Sequence, residues 1–193
     1  IIFLHLVGVV GTLLPVTREL TVSLTSVNLI ISLFILLAHH PSSRRLIYYS
    51  LIVFTAGYLI EVLGVATKFP FGEYYYGETL GLSLWNVPLV MGVNWLMLTL
   101  AFGVLSNYIF VQRWLKVLAA GFGMVLLDGL IEPIAIRLEY WYWPNQEVPI
   151  QNYVAWLIAA VVFQMLFQQW HAKDKNPIAI YLIISQITYF AGI

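Results

Sequence analysis

The sequence predicts an all-α integral membrane protein in which about seven transmembrane helices form a single bundle. Its 193 residues are 61% hydrophobic and only 9% charged, whereas an ordinary soluble domain is about 25% charged. A soluble fold of this size could not bury so much apolar surface, so a bilayer must solvate it. The apolar stretches are also continuous, whereas the strands of a transmembrane barrel would alternate apolar and polar residues.

Seven apolar segments approach the roughly 20 residues that a helix needs to cross the hydrocarbon core. They cover residues 1–14, 20–38, 46–64, 84–105, 114–131, 153–170 and 178–193. No internal repeat or low-complexity tract separates them, so we expect one polytopic domain over residues 1–193. The chain opens without Met and closes inside an apolar run, which leaves trimming at both ends open.

Basic residues in the connections predict the orientation. The second, fourth and sixth connections hold Arg44, Arg45, Arg113, Lys173 and Lys175. The positive-inside rule places these connections and the N-terminus in the cytoplasm, which predicts a multi-pass protein of the cytoplasmic (inner) membrane. The long loops at residues 65–83 and 132–152 then face the opposite side.

Composition also narrows the classes of partner and cofactor. The net charge is zero, which gives no indication of a nucleic-acid partner, and the absence of cysteine excludes disulfides and thiolate metal sites. No span contains an HxxxH or HxxE pair, so we expect no metal centre. His5 is expected to be a packed hydrogen-bond donor. His39, His40 and His171 border cytoplasmic loops and are expected to be solvated.

Three carboxylates are predicted to converge in the outer half of the bilayer. At about 1.5 Å per residue, Glu61 lies about 22 Å along its span and Asp128 about 21 Å along its own. Both helices rise from the cytoplasm, and Glu132 follows Asp128 by one turn. Asn86 and Asn152 enter the same layer from the fourth and sixth spans.

Such acids are candidates for function, because an ionised side chain in the hydrocarbon costs about 2.5 to 3.5 kcal/mol. Asp128 and Glu132 are four residues apart and share a helix face. Two neighbouring carboxylates in a low dielectric cannot both ionise easily, so one should keep its proton. That proton would be available to a substrate.

Purely structural roles for these acids stay open at the sequence level. Glu61 could pair with Arg137 or Lys68 near the membrane surface. Glu132 could cap the following loop, because Pro133 comes directly after it, where the helix should end. The cost of burying a charge nevertheless favours function, least clearly for Glu132.

Aromatic residues cluster in the two loops that flank the acids. The clusters are Tyr74, Tyr75 and Tyr76 in the first loop, and Trp141, Tyr142 and Trp143 in the second. An aromatic belt at the membrane interface explains such clusters, and so does the wall of a pocket in which ring faces stabilise a cation. The sequence leaves both interpretations open.

Two motifs carry a resemblance to a known family. The first is GVATKFPFGEYYYGETLG followed by NVPLVMGVNW, and the second is LDGLIEPIAIRLEYWYWPNQEVPIQNYVAW. Over residues 61–156, about half of the chain, the sequence resembles the membrane-bound carotenoid biosynthesis proteins that include the CruF-type carotenoid hydratases. Two positions depart from the family pattern: Lys68 stands where a Gly is usual, and Glu132 where an Asp usually precedes the Pro.

The resemblance implies a hydro-lyase that adds water to the terminal C=C of an acyclic or monocyclic carotenoid taken from the lipid bilayer, without a cofactor. Asp128 would then donate the proton, Glu61 would orient water or stabilise the cation, and Glu132 would tune the proton affinity of Asp128. Asn86 and Asn152 would position water. The expected substrate-binding residues are Asn86, Asn152, Phe71, Tyr74, Tyr76, Trp95, Trp141, Trp143 and Trp156.

Other functions share some of these features. A lycopene-cyclase-like enzyme begins with the same protonation but loses a proton instead of gaining water. A proton-coupled transporter also uses intramembrane acids, although it should show repeat symmetry. A retinal-binding receptor would need a lysine in the last span, and residues 178–193 contain none.

Overall fold

The computed structural model describes residues 1–41, 43–144 and 147–193. These residues form eight helices and four strands of two residues each, so the all-α prediction is confirmed. The helices are α1 (Ile2–Leu13), α2 (Arg18–Ser23), α3 (Thr25–Ala38), α4 (Arg44–Thr67), α5 (Val90–Ile109), α6 (Arg113–Arg137), α7 (Ile150–Trp170) and α8 (Pro177–Gly192). The strands are β1 (Tyr75–Tyr76), β2 (Ser83–Leu84), β3 (Val87–Pro88) and β4 (Trp141–Tyr142).

Four helices, α4 to α7, are long and apolar enough to cross a membrane. The apolar helices α1, α3 and α8 have 12, 14 and 16 residues, or about 18 to 24 Å at 1.5 Å per residue. That is shorter than a hydrocarbon core of about 30 Å. Each of the seven predicted segments therefore contains a helix, while seven crossings and a cytoplasmic N-terminus stay predictions.

Helix α5 forms the centre of the bundle and packs against α3, α4, α6, α7 and α8. Small residues bring its neighbours close, as membrane helices require. A Cβ added to Gly57 of α4 would lie 2.5 Å from the Cβ of Trp95. Glycine at this position therefore lets α4 approach α5 closely enough for Trp95 to reach the polar residues of α4.

The fourth predicted span begins later than expected. Residues 84–89 were predicted as helix, but strands β2 and β3 form an antiparallel hairpin and α5 begins at Val90. Trp85 and Asn86 in its turn have φ values of 53° and 62°, and positive φ at both central residues is the requirement of a type I′ turn. Hydropathy alone does not distinguish an apolar hairpin from the first turns of a helix.

The prediction that α6 ends near Pro133 is also wrong. The helix continues through Pro133 to Arg137, which membrane helices tolerate where neighbours satisfy the freed backbone groups. The added turn keeps Glu132 inside the helix, where its side chain is buried. Glu132 therefore belongs to the interior of the bundle and does not cap a surface loop.

The two aromatic loops pair with each other. Strands β1 and β4 are antiparallel, with Tyr75 opposite Tyr142 and Tyr76 opposite Trp141. The Gly77 N–H extends this pairing by donating to the Tyr140 carbonyl at 3.0 Å. The loop after α4 and the loop after α6 are thereby joined over the ends of the helices that carry the acids.

Candidate active site

A small cavity lies where the ends of α4 and α6 meet the beginning of α7. Its volume of about 20 Å³ gives room for roughly one water molecule. The lining residues are Glu61, Phe71, Tyr74, Tyr76, Met91, Asp128, Glu132, Trp141, Trp143, Asn152 and Trp156. Buried carboxylates, an amide and aromatic rings thus share one enclosed space.

Glu61 is held by three hydrogen-bond donors. Its Oε2 accepts from the hydroxyls of Tyr74 at 2.6 Å and Tyr76 at 2.8 Å. Its Oε1 accepts from Nε1 of Trp95 at 2.8 Å. An ionised carboxylate only accepts hydrogen bonds, so this set of donors suits the charged form of Glu61.

Glu132 has an equivalent set of donors from other parts of the chain. Its Oε2 accepts from Nε1 of Trp141 at 2.8 Å and of Trp143 at 3.1 Å. Its Oε1 accepts from Nδ2 of Asn152 at 3.2 Å. Both glutamates are therefore surrounded by N–H and O–H groups, supplied by the loops and by α5 and α7.

Asp128 differs from its two neighbours. It is only 3% exposed, and its Oδ2 has no hydrogen-bond partner among the residues that the structure describes. It lies one helical turn before Glu132 on the same face of α6 and lines the same cavity. A buried carboxylate oxygen that no donor reaches is costly on an anion, whereas a neutral acid carries an O–H that it can donate.

The tyrosines that bind Glu61 remain hydrogen-bond donors. Burial, followed by the negative charge of Glu61, holds the pKa of Tyr74 and that of Tyr76 well above the ordinary value of 10.0. Both hydroxyls therefore keep their protons at physiological pH. They can stabilise negative charge on Glu61 throughout that range.

Aromatic rings form the walls of the site. Trp95 and Trp156 stack with centroids 4.0 Å apart, and Tyr74 lies 5.3 Å from Trp143. These four rings are buried, whereas Tyr75, from the same YYY run, is 53% exposed. The buried members of the two clusters line the cavity, and an interfacial belt accounts only for the outward-facing rings.

The structure brings together all but two of the predicted site residues around the cavity. Trp95 lies outside the lining but contacts Glu61 directly. Asn86 is exposed in the turn between β2 and β3 and does not line the cavity that the described residues form, because the predicted helix is a hairpin there. Met91 was not predicted, since a methionine carries no chemical signal. Its position one turn before Trp95 is the only clue to it in the sequence.

The ion-pair alternatives for Glu61 are wrong. Lys68 pairs with Glu73, at 2.6 Å between Nζ and Oε1. Arg137 donates instead to the backbone carbonyl of Ile193. Neither cation lines the cavity, so hydrogen bonds and not a basic side chain stabilise Glu61.

The predictions for the histidines are partly wrong. His39 is exposed as predicted, but His40 and His171 are 5% and 2% exposed rather than solvated. The connection between α7 and α8 folds against the end of α3, where Nδ2 of Asn176 donates to the Leu36 carbonyl at 2.9 Å. His5 is buried beside Tyr189, with ring centroids 6.4 Å apart.

Comparison with known proteins identifies the family. The model of the family described as "Carotenoid biosynthesis protein" matches residues 21–191. The chain belongs to this family. The match extends well beyond the two motifs, from the second half of α2 through most of α8.

This carotenoid biosynthesis protein is similar in sequence to a curated relative, bisanhydrobacterioruberin hydratase of Haloarcula japonica. The two sequences are 32% identical over 123 residues, which covers 57% of this chain and 40% of the relative. The matched region thus spans less than half of the relative's length. No solved structure matches the chain.

Proposed function

We propose that this protein is a hydro-lyase that adds water to the terminal C=C at the acyclic end of an acyclic or monocyclic carotenoid. Membership of the carotenoid biosynthesis family and the likeness to a named hydratase support this substrate class. The observation that carries the proposal is the cavity itself. It has room for about one water beside three buried acids, and no donor among the described residues reaches Oδ2 of one of them, Asp128.

Asp128 is the proton donor in this proposal. A trisubstituted alkene is a weak base, so protonating it requires an acid in a dry site. Glu61 and Glu132 each accept three hydrogen bonds, an arrangement that suits anions. Within the described ranges no donor reaches Oδ2 of Asp128, which lines the same cavity, and this suits a neutral acid that gives up its proton to a substrate.

The two glutamates and the aromatic rings then stabilise the product of protonation. The alkene π pair takes the proton of Asp128 to form a C–H bond, which leaves a tertiary cation on the neighbouring carbon. The negative charge of Glu61 and Glu132 and the ring faces of Tyr74 and Trp143 stabilise that cation. Water held near Asn152 attacks it, and the proton released by water returns to a carboxylate.

Access of the substrate requires side chains to move. The cavity of about 20 Å³ holds water but not the end of a polyene. Among the lining residues, Tyr76 and Trp141 are the two that are only half-buried. We place the opening for the alkene end between these rings, on the side from which a polyene would arrive laterally from lipid. An N-terminus in the cytoplasm and a site in the outer half of the cytoplasmic membrane complete the proposal.

The test is the variant Asp128→Asn in cells that accumulate lycopene or another acyclic carotene. Removing a general acid should lower the yield of hydroxylated carotenoid by about 10²- to 10⁴-fold. Mass spectrometry of the extracted pigments measures that yield as the mass of one added water per reacted end.

The matched control is Glu78→Gln, which removes an exposed acid from the first aromatic loop. It should leave the yield unchanged. Wild-type activity in a folded Asp128→Asn protein would overturn the role of Asp128. A wild-type product with the mass of the substrate would indicate cyclisation and overturn hydration.

A further inference from the structure

A second polar cluster is buried at the opposite end of α7. His171 directly follows α7, whereas Asn152 of the candidate active site lies in its first turn. At 1.5 Å per residue these positions are about 28 Å apart along the helix. His40, after α3, and Asp174, in the connection to α8, meet His171 there. This cluster is separate from the proposed hydration site.

The three side chains of this histidine cluster are arranged as metal ligands are. Each offers one ligand atom, and these atoms all lie within 4.8 Å of one another. Oδ2 of Asp174 is 2.7 Å from Nδ1 of His171 and 3.8 Å from Nε2 of His40. Bonds of about 2.0 to 2.2 Å at tetrahedral angles put ligand atoms about 3.4 Å apart. The two observed distances bracket this value.

An unpartnered nitrogen atom provides the second observation. Nε2 of His40 is buried without a hydrogen-bond partner in the described part of the chain. The other ring nitrogen, Nδ1, lies 3.4 Å from the Pro41 carbonyl. An N–H at Nδ1 leaves the Nε2 lone pair of His40 available to a metal ion, and His171 offers Nδ1, the nitrogen that faces Asp174.

We propose that His40, His171 and Asp174 bind a divalent transition metal ion of the Zn²⁺ class. Two imidazoles and one carboxylate are ligands that Zn²⁺ accepts in proteins, with water in a fourth position. A metal ion also explains why the Nε2 lone pair of His40 is buried where no donor among the described residues meets it. Neither hydration nor its proposed proton transfer requires this ion.

The surrounding backbone is already fixed for such a site. Nδ2 of Asn107 donates to the carbonyls of His171 at 2.9 Å and Asp174 at 3.0 Å. Nζ of Lys116 donates to the Ala172 carbonyl at 2.8 Å. Helices α5 and α6 thus hold the α7–α8 connection in place, and the metal would join it to the residue after α3. Its role is to fasten the ends of three helices.

Cobalt titration of the whole chain tests the proposal. Protein purified in detergent is stripped with a chelator, and Co²⁺ is added while visible absorption is recorded. We expect one Co²⁺ per chain with the intense bands of four-coordinate cobalt, which Zn²⁺ then displaces. His40→Gln and His171→Gln should each weaken binding by at least about tenfold, because loss of even an outer-shell partner costs about 10- to 100-fold.

His39→Gln is the matched control, since this neighbouring histidine is exposed and its Nδ1 contacts the Ile35 carbonyl at 2.9 Å. It should bind Co²⁺ as the wild type does. Absence of four-coordinate bands from the wild type at stoichiometric Co²⁺ would overturn the proposal, whatever the variants do. An equal loss in His39→Gln would overturn it too, because the metal would then be bound at the surface.

Discussion

The two ends of α7 bury polar groups in opposite ways. At the first turn, Asn152 belongs to a cavity where Glu61 and Glu132 receive their donors from aromatic side chains. At the other end, His40 and His171 lie beside one carboxylate while their Nε2 atoms have no partner among the described residues. At the first end, N–H and O–H donors surround carboxylate oxygens. At the second end, two imidazoles lie beside a carboxylate.

This difference indicates which chemistry each end can support. A site rich in donors with one unpartnered acid can hold anions and transfer a proton. A site with two imidazole lone pairs beside a carboxylate can bind a cation. Buried groups that lack partners are costly, so they mark the atoms where an external molecule or ion completes the structure.

The largest expected change in stability comes from removing Glu61, which accepts three hydrogen bonds near the first turn of α7. Glu61→Leu leaves the hydroxyls of Tyr74 and Tyr76 and the indole N–H of Trp95 buried without an acceptor. At about 1 to 3 kcal/mol for each unsatisfied group, the free energy of unfolding should fall by about 3 to 9 kcal/mol. Denaturation in mixed micelles, followed by tryptophan fluorescence, measures this loss.

Asp128→Asn supplies the comparison for that measurement. No described residue donates to Oδ2 of Asp128, so its replacement by an amide of similar size should change stability by less than about 1 kcal/mol while lowering the proposed hydration activity by about 10²- to 10⁴-fold. Equal destabilisation by Glu61→Leu and Asp128→Asn would contradict the prediction, because it would show that hydrogen-bond donors do not distinguish Glu61 from Asp128.

Removing a single hydrogen-bond donor to Glu61 should lower the free energy of unfolding by a smaller amount. Tyr74→Phe removes the 2.6 Å hydrogen bond to Glu61 and should cost about 1.5 to 3 kcal/mol, the range for bonds to charged groups. Tyr75→Phe changes the exposed neighbouring ring and should stay within about 0.5 kcal/mol. The same unfolding assay at neutral pH compares them, and similar losses in both variants would contradict the assigned hydrogen bond.

The raised pKa of Tyr74 adds a dependence on pH. Burial and the charge of Glu61 keep this hydroxyl protonated in the folded state above the ordinary value of 10.0. Its contribution is fully present below about pH 10 and is lost as pH rises further, because the unfolded tyrosine ionises first. Unfolding curves measured from pH 9 to 11 should show a shallower decline in Tyr74→Phe, and an unchanged slope would argue against this linkage.

The smallest effect concerns the independence of the two ends. In metal-free protein, the stability changes of Asp128→Asn and His171→Gln should add to within about 0.3 to 0.5 kcal/mol, because the two sites lie about 28 Å apart along α7. The double variant in the same denaturation assay tests this. A larger coupling energy would mean that α7 transmits strain between its ends.

The sequence predicted that the buried acids lie close together, but it did not predict which residues donate hydrogen bonds to them. Glu61 and Asp128 could be placed at a common depth because helix rise is constant and charges in apolar spans are conspicuous. The three donors of each glutamate could not be assigned, since they depend on the pairing of β1 with β4 across the chain. Only the aromatic content of those loops gave a signal.

Other features could not be predicted from the sequence because they depend on tertiary structure. The turn at Trp85 and Asn86 uses positive φ at residues other than glycine, which apolar composition does not reveal. His40 and His171 border charged loops in sequence, yet the fold of the α7–α8 connection buries both. Pro133 would end most helices in water, whereas neighbours in a membrane bundle let α6 continue.

The pairing of Tyr76 with Trp141 has a mechanical consequence. Each is half of a strand pair, and each also donates to a different glutamate, Tyr76 to Glu61 and Trp141 to Glu132. Parting the two loops to admit a hydrocarbon chain would strip one donor from both acids in the same movement. Closing the loops would restore both hydrogen bonds together. Access to the cavity and the hydrogen bonding of both glutamates would therefore change in one movement.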